Sequence, residues 1–147
     1  MGERLAIVVP CALRFRDPVG ALIQQICQQL DQTEPRAEQT LGFQVVSAFN
    51  EAFNNLCQYA YPGGAGEVEV RLEIRPDRLI IELWDEGATY DLAEVTLPDL
   101  EDLPESGLGL FIIRSFMSEV EYLPRAEGAR NVLRLVRQLP DCAASGA

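Results

Sequence analysis

Hydrophobic and polar residues alternate along this chain with two different periods, and each period predicts a kind of secondary structure. Short runs rich in apolar residues predict β-strands at residues 4–10, 67–75, 78–86, 119–124 and 129–138, and the run at 67–75 alternates charged with apolar residues. Apolar residues three and four positions apart predict helices at residues 17–31, 35–60 and 107–118. Residues 88–106 follow neither period, so we expect no regular element there.

The order of these elements predicts the class of fold. Strands 67–75 and 78–86 are joined by a short turn, which favours an antiparallel hairpin. Charged residues alternate with Val, Leu and Ile in the first of them, so one face is buried and the other faces solvent. We therefore expect an α+β, two-layer α/β sandwich, with three helices on one face of a mixed, mostly antiparallel sheet. A chain of 147 residues fits one domain at residues 1–139, with a flexible tail at 140–147.

Composition narrows the classes of partner and compartment. The formal net charge of −11 argues against a nucleic-acid-binding surface, which needs clustered cationic side chains. The chain has no apolar run of the length of a membrane span, and its first residues lack a signal-peptide cleavage site. The four cysteines have neither CxxC nor metal-ligand spacing. We therefore expect a cytoplasmic protein with reduced thiols.

Two absent residue types narrow the possible chemistry further. The chain has no histidine, and all 12 of its basic residues are arginine. The absence of histidine excludes a Ser-His-Asp triad, a Cys-His dyad and a phosphohistidine. The absence of lysine excludes a P-loop and a pyridoxal Schiff base. Catalysis would have to use carboxylates, amides, arginines, hydroxyls, the backbone or a hard metal ion.

One side of the predicted helix 35–60 is polar and rich in amides. Glu51 and Asn55 are four residues apart, so their side chains are neighbours on the helix surface. A solvated face is one interpretation. Asparagine is a poor helix former, however, and three of them within six positions favour side chains that are used. A carboxylate can act as a general base, and an amide oxygen one turn away suits Mg²⁺.

An aspartate at the end of a strand forms a second candidate feature. Asp85 is followed by Gly87, a combination that in most proteins is a simple turn. Alternatively, the carboxylate accepts a hydrogen bond from the exocyclic amine of a flat ligand, which the glycine allows to approach the backbone. The segment from Asp85 to Glu105 carries eight acidic residues and no arginine, and loops of this length are often lids or disordered.

Two glycines stand at the start of the third predicted helix, in the stretch SGLGLFII at residues 106–113. Either a tight turn or the close approach of a ligand to the backbone would require these glycines. A helix start offers unpaired N–H groups and the positive end of the helix dipole, which together favour an anion.

Taken together, three segments resemble the motifs of a known superfamily. They are Glu51-x-x-x-Asn55-x-x-x-Tyr59-Ala-Tyr, Asp85-x-Gly87 and the diglycine helix start, in that order. They resemble the N, G1 and G2 boxes of the GHKL ATPases, which have the Bergerat fold. More narrowly, the chain is similar to bacterial anti-sigma-factor serine/threonine kinases from residue 5 to residue 139. Tyr59 stands where that family usually has histidine.

The resemblance implies a role for each matching residue. Glu51 would be the catalytic base toward a substrate serine or threonine, and Asn55 would coordinate Mg²⁺ bridging the phosphates of ATP. Asp85 would accept from the adenine N6 amine, with Gly87 close to the ring. Residues 92–106 would form the ATP lid. Backbone N–H groups would contact the phosphates at Gly107, Leu108 and Gly109.

The resemblance also implies partners. A kinase of this family phosphorylates a STAS-domain anti-anti-sigma protein, alternatively binds a sigma factor, and is a homodimer. The acidic lid has no arginine, so the charge of the transition state would be met by Arg114 or by a partner. Two other interpretations stand beside this one: a non-catalytic module that binds nucleotide or protein, and a purely structural α+β domain.

Overall fold

The computed structural model describes residues 2–30, 40–92, 109–125 and 129–140. The strands are β1 Glu3–Pro10, β2 Glu67–Arg75, β3 Arg78–Asp85, β4 Glu119–Leu123 and β5 Asn131–Gln138. The helices are α1 Arg16–Leu30, α2 Leu41–Asn55 and α3 Gly109–Phe116. A 3₁₀ turn at Leu13–Phe15 precedes α1, and a π-helical turn at Leu56–Ala60 extends α2.

The strands form one five-stranded sheet in the order β1-β2-β3-β5-β4, which confirms the predicted α+β fold class. Every pairing among the described residues is antiparallel, whereas the sequence allowed a mixed sheet. The physical reason is the position of β5. The strands β3 and β4 run in the same direction, but β5 lies between them and pairs with both, so no parallel ladder forms.

In β2 and β3 the alternation of side chains places one face of the strand in the core. By contrast, β1 is exposed at seven of its eight residues, and β5 also buries Val132 and Val136 on its other face. In β2, Val68, Val70 and Leu72 are buried in the core, while the charged residues between them lie on the other face. In β3 the same alternation buries Leu79, Ile81 and Leu83, and continues to Asp85. An aspartate is therefore held on the buried side of the sheet, at the end of a strand.

The helix α2 is the central helix, because it packs against both α1 and α3. Phe49 and Phe53 are fully buried, and their ring centroids are 5.6 Å apart. The Thr40 hydroxyl accepts a hydrogen bond from the Phe43 N–H at 3.2 Å, which makes Thr40 the N-cap. The prediction that this helix begins near residue 35 is therefore wrong, because the backbone of Thr40 is extended.

Some expectations fall on residues that the structure does not describe. These are Gly107 and Leu108, the lid residues other than Leu92, and the tail from residue 141 onward. The division into one domain at 1–139 and a tail stays a prediction. None of the helices in the described parts of the chain has the length and apolar character that crossing a bilayer requires.

Candidate functional site

The strand β3 ends in a buried carboxylate that the neighbouring strand holds in place. Asp85 is 2% exposed and lies directly opposite Asn131 of β5. The Asp85 Oδ1 atom accepts hydrogen bonds from the Asn131 Nδ2 amide and from the backbone N–H of Gly87, both at 2.9 Å. Among the described residues, no donor reaches Oδ2. One oxygen of the carboxylate is thus used by the protein, and the other is left for a ligand.

Asn131 is the residue at the centre of this group, and the sequence interpretation missed it. Its Nδ2 atom also donates to the Gly87 carbonyl at 3.1 Å. Its Oδ1 atom accepts from the Thr89 hydroxyl at 2.9 Å and from the Arg125 N–H at 2.8 Å. We call Asp85, Gly87, Thr89, Arg125 and Asn131 the aspartate cluster. The sequence held a clue to its role. Asn131 lies two residues before Leu133 and four before Leu135, on the same face of the strand, where a core strand would carry an apolar residue.

The burial of Asp85 sets its electrostatics. Desolvation raises the pKa of the Asp85 carboxyl above its usual value, although the hydrogen bonds from Asn131 and Gly87 and the charge of Arg125 act in the opposite direction. Burial of an ionised carboxylate is costly, so each of these donors contributes to keeping Asp85 charged.

Gly87 is required by a close approach of two backbone segments. A Cβ atom at this position would lie 2.8 Å from the carbonyl carbon of Ala60, too close for any side chain. The Ala60 carbonyl oxygen also accepts a hydrogen bond from the Ala88 N–H at 2.8 Å. The loop after β3 is therefore packed directly on the π-helical turn that follows α2. A contact of Gly87 with a ligand ring stays a prediction.

The polar side of α2 differs from the aspartate cluster, because two of its buried atoms lack partners. We call Asn50, Glu51, Asn54 and Asn55 the amide stripe. Among the described residues, no hydrogen-bond partner exists for the buried Asn50 Oδ1 and Asn55 Nδ2 atoms. Asn55 is only 9% exposed, and an unsatisfied buried polar atom costs about 1–3 kcal/mol. Such atoms are typical of a site that a ligand completes.

An arginine from α1 contacts this stripe, which the sequence interpretation also missed. The guanidinium of Arg16 donates to the Asn54 Oδ1 atom at 3.0 Å. Desolvation raises the pKa of Glu51 above its usual value, and the positive charge of Arg16 offsets part of this rise. A half-buried carboxylate with a raised pKa is better matched to proton transfer near neutral pH.

Aromatic rings join the end of α2 to the loop after β3. The ring centroids of Tyr59 and Tyr90 are 5.9 Å apart, and those of Tyr90 and Tyr122 are 4.9 Å apart. Burial raises the pKa of Tyr90, whose hydroxyl has no hydrogen-bond partner in the described parts of the chain. Tyr90 and Tyr122 line a cavity of about 510 Å³ together with Arg114 of α3.

The loop that carries two of the predicted site residues packs on the turn that extends the helix carrying two others. Glu51 and Asn55 lie on this helix, and the loop with Asp85 and Gly87 packs on the turn that extends it. Gly109, the first residue of α3, is buried, and α3 packs beside α2. The positions of the other two residues of the glycine motif lie outside the described residues.

The protein ligands available here are compatible with a metal ion whose other ligands come mainly from a bound substrate. In the parts of the chain that the structure describes, no three His, Cys, Asp or Glu residues form a group that could bind a metal. Asn55 offers an amide oxygen, since rotation of the amide exchanges its oxygen with the unpartnered nitrogen. One protein ligand is compatible with Mg²⁺, which keeps several waters and binds substrate phosphates.

The fold and these residues define a class of protein, and comparison with known proteins agrees. The histidine kinase-like ATPase domain family matches residues 17–137, and the chain belongs to this family. The GHKL resemblance is thereby confirmed. Membership in this family indicates use of ATP.

Individual curated relatives of the chain are serine-protein kinases. The chain is 32% identical over 85 residues to the serine-protein kinase RsbW of Bacillus cereus (strain AH187), an alignment that covers 52% of each protein. It is 31% identical over 85 residues to RsbW of Bacillus mycoides, with the same coverage. The chain thus spans about half the length of the curated relatives it matches.

A solved structure supports the fold. The histidine kinase domain of the blue-light activated histidine kinase EL346 from Erythrobacter litoralis matches with a TM-score of 0.51 and 15% identity. This match covers 89% of the present chain and 62% of the other. At this identity it shows a shared fold and nothing about activity.

Proposed function

We propose that this protein is an anti-sigma regulatory factor that uses ATP to phosphorylate a serine or threonine of a STAS-type anti-anti-sigma protein. In the alternative state it binds a sigma factor. Similarity to the serine-protein kinases RsbW supports this function. We further propose that it acts as a homodimer in the cytoplasm. Phosphorylation adds nearly two negative charges at neutral pH. If the phosphorylated residue lies in the interface of the STAS-domain protein with the kinase, the added charge would separate the two proteins. The kinase would then be free to bind the sigma factor.

Nucleotide recognition is assigned to the loop after β3 and to the start of α3. In this proposal, Asp85 accepts a hydrogen bond from the adenine N6 amine at Oδ2, the oxygen to which no described residue donates. Gly87 lies beside the ring. Residues 92–106 close over the nucleotide. The phosphates receive backbone N–H groups at the positive end of the α3 dipole, from Gly107, Leu108 and Gly109.

The amide stripe is assigned to phosphoryl transfer. Glu51 accepts the proton of the substrate hydroxyl. The oxygen of that hydroxyl attacks the γ-phosphorus, the bond between the γ-phosphorus and the β,γ-bridging oxygen breaks, and ADP leaves. The raised pKa of Glu51 suits this role, because a stronger base accepts the proton more readily. Asn55 holds the oxygen side of its amide toward Mg²⁺, which when bound neutralises phosphate charge.

The observation that carries the proposal is the arrangement on α2. A half-buried glutamate with a raised pKa lies one turn before a buried asparagine with an unpartnered amide atom. Structural residues on a solvated helix face would show neither burial nor missing partners. Both features are explained if a metal-bound triphosphate and a substrate hydroxyl complete the site.

The test separates binding from transfer. Titration calorimetry with Mg-ATP should give saturable heat for the wild-type chain and for Glu51→Ala. Transfer of labelled phosphate to a STAS-domain protein should fall by about 10²–10⁴-fold in Glu51→Ala, the usual contribution of a general base. The matched control is Gln58→Ala, which changes another polar residue on the same helical segment and should leave transfer unchanged. Wild-type transfer by Glu51→Ala would remove Glu51 as the base.

A second function, a non-catalytic nucleotide-binding or protein-binding regulatory module, is favoured by one observation. The segment between Asp85 and Glu105 carries no arginine that could neutralise transition-state charge. In that case Mg-ATP would still give saturable heat on titration. Neither the wild-type chain nor Glu51→Ala, however, would transfer phosphate to any STAS-domain protein.

A further inference from the structure

Two cysteines that are distant in sequence lie in contact beside the turn that extends α2. Cys11 follows β1, and Cys57 belongs to the π-helical turn. Their Sγ atoms are 3.2 Å apart across a sequence separation of 46 residues. A disulfide bond needs about 2.05 Å between the sulfurs, so only about 1 Å of movement separates the two thiols from a bond.

The two sulfurs differ in access. Cys11 is 3% exposed and is anchored through its backbone N–H, which donates to the Gly66 carbonyl at 2.8 Å. Cys57 is partly exposed. Both line a cavity of about 500 Å³ whose wall also includes Arg16 and Pro62. A small oxidant can therefore reach the sulfur of Cys57, while Cys11 is held behind it.

The pKa values of the two thiols also differ, and the more exposed cysteine has the lower one. The hydrogen bond between the two sulfurs lowers the pKa of Cys57, although burial acts against this effect. The same hydrogen bond, together with burial, raises the pKa of Cys11 far above the usual range. A thiolate is the reactive form of cysteine, so the greater exposure of Cys57 and the direction of the two pKa shifts both favour Cys57 as the nucleophile.

We propose that Cys11 and Cys57 form a reversible disulfide when the protein meets a peroxide. The Cys57 thiolate attacks one oxygen of hydrogen peroxide, the O–O bond breaks, hydroxide leaves and a sulfenic acid forms. The Cys11 sulfur then attacks the Cys57 sulfur. The S–O bond breaks, and its hydroxyl leaves as water with the Cys11 proton. Both sulfurs are oxidised and both peroxide oxygens are reduced to water. A dithiol restores the thiols by exchange.

The bond would tie the end of β1 to the turn that carries Tyr59 and receives the loop after β3. That turn is already held by the hydrogen bond from the Ala88 N–H to the Ala60 carbonyl. A covalent link across 46 residues restricts the unfolded chain and fixes the turn in the folded one. The inference stands on the contact between the two sulfurs and does not depend on the proposed kinase activity.

The experiment uses the full chain, reduced and then treated with a small excess of hydrogen peroxide. Intact mass should show the loss of two hydrogen atoms, and non-reducing digestion should give a peptide linking Cys11 to Cys57. The melting temperature should rise by about 5–10 °C and return after treatment with dithiothreitol.

Three variants make the result decisive. Cys57→Ser should abolish both the mass loss and the rise in melting temperature. Cys11→Ser should leave the sulfenic acid of Cys57 without its partner, so that a dimedone adduct accumulates on Cys57. Cys142→Ser is the matched control and should oxidise as the wild type does. Unchanged mass at this peroxide dose, or a linkage through Cys27 or Cys142 instead, would overturn the proposal.

Discussion

Two buried polar groups lie near the same end of α2, and they differ in how completely they are hydrogen-bonded. In the aspartate cluster, Asn131 uses its amide nitrogen and oxygen in four hydrogen bonds to its neighbours. In the amide stripe, Asn50 and Asn55 each bury a polar atom without a partner in the described parts of the chain.

The difference indicates two kinds of task. The hydrogen bonds of Asn131 and Gly87 fix the position of Asp85, so its Oδ2 atom, to which no described residue donates, faces one direction. An incompletely paired stripe carries a free-energy cost in the unliganded protein, and a ligand that satisfies it regains this cost on binding. The cluster is therefore suited to selecting a ligand, and the stripe to responding to one.

The largest expected effect is on stability, from loss of the central amide of the cluster. Asn131→Ala should lower the free energy of unfolding by about 3–4 kcal/mol, because it leaves several buried groups unpaired at once. Urea denaturation measures this change. Asn55→Ala is the matched control and should cost about 1 kcal/mol or less, since its buried nitrogen has no partner to lose. Equal losses in the two variants would contradict the distinction between cluster and stripe.

A smaller loss of stability is expected where the cluster meets the end of α2. Gly87→Ala should lower the free energy of unfolding by about 1–3 kcal/mol, because its Cβ would overlap the Ala60 carbonyl group. Gly63→Ala is the control, since no atom lies within 4 Å of a Cβ there. Thermal unfolding distinguishes the two. A melting temperature of Gly87→Ala equal to that of Gly63→Ala would mean that the loop relaxes without cost.

The selectivity of the cluster gives the third prediction. Asp85→Asn should weaken ATP binding by about tenfold more than GTP binding, or about 1.4 kcal/mol, because an amide can turn a donor toward the adenine N6 amine. Competition calorimetry with both nucleotides measures the ratio. Equal weakening would remove Asp85 from adenine recognition without touching the role proposed for Glu51.

The smallest effect is expected from the electrostatics of the stripe. The charge of Arg16 holds the raised pKa of Glu51 below the value that burial alone would give. Arg16→Ala should therefore raise this pKa further. The acidic limb of the pH–rate profile should move to higher pH, with little change on its high-pH side. Arg14→Ala is the control, because the Arg14 guanidinium stacks on the Phe15 ring. An unmoved acidic limb in Arg16→Ala would show that Glu51 does not sense Arg16.

Most of the fold could be predicted from local patterns. The strand predicted at residues 67–75 is β2 without change, and the one at 78–86 is one residue longer than β3. These predictions succeed because period-two alternation is a property of neighbouring residues alone. The start of α2 was predicted wrongly, near Pro35, because the hydrogen bond that caps the helix forms five residues later, at the Thr40 hydroxyl.

The residues of the candidate site also fall into those that local patterns identify and those that they do not. Spacing on a helix made Glu51 and Asn55 a candidate pair, and a strand end followed by glycine made Asp85 a candidate. Their roles came from the resemblance of the combined motifs and stay predictions. Arg16 and Asn131 were not found, because they contact the site from α1 and β5, at separations of 38 and 46 residues from their partners. No local period carries information about such contacts.

The order of residues by itself determined most of the elements, the buried face of β2 and the residues that carry the GHKL motifs. Only the tertiary structure decided that β5 lies between β3 and β4, that Asn131 holds Asp85, and that Cys11 meets Cys57. The physical reason is one of range. Periodicity and capping act within a few residues, whereas hydrogen bonds and sulfur contacts between distant segments form only after the core has brought those segments together.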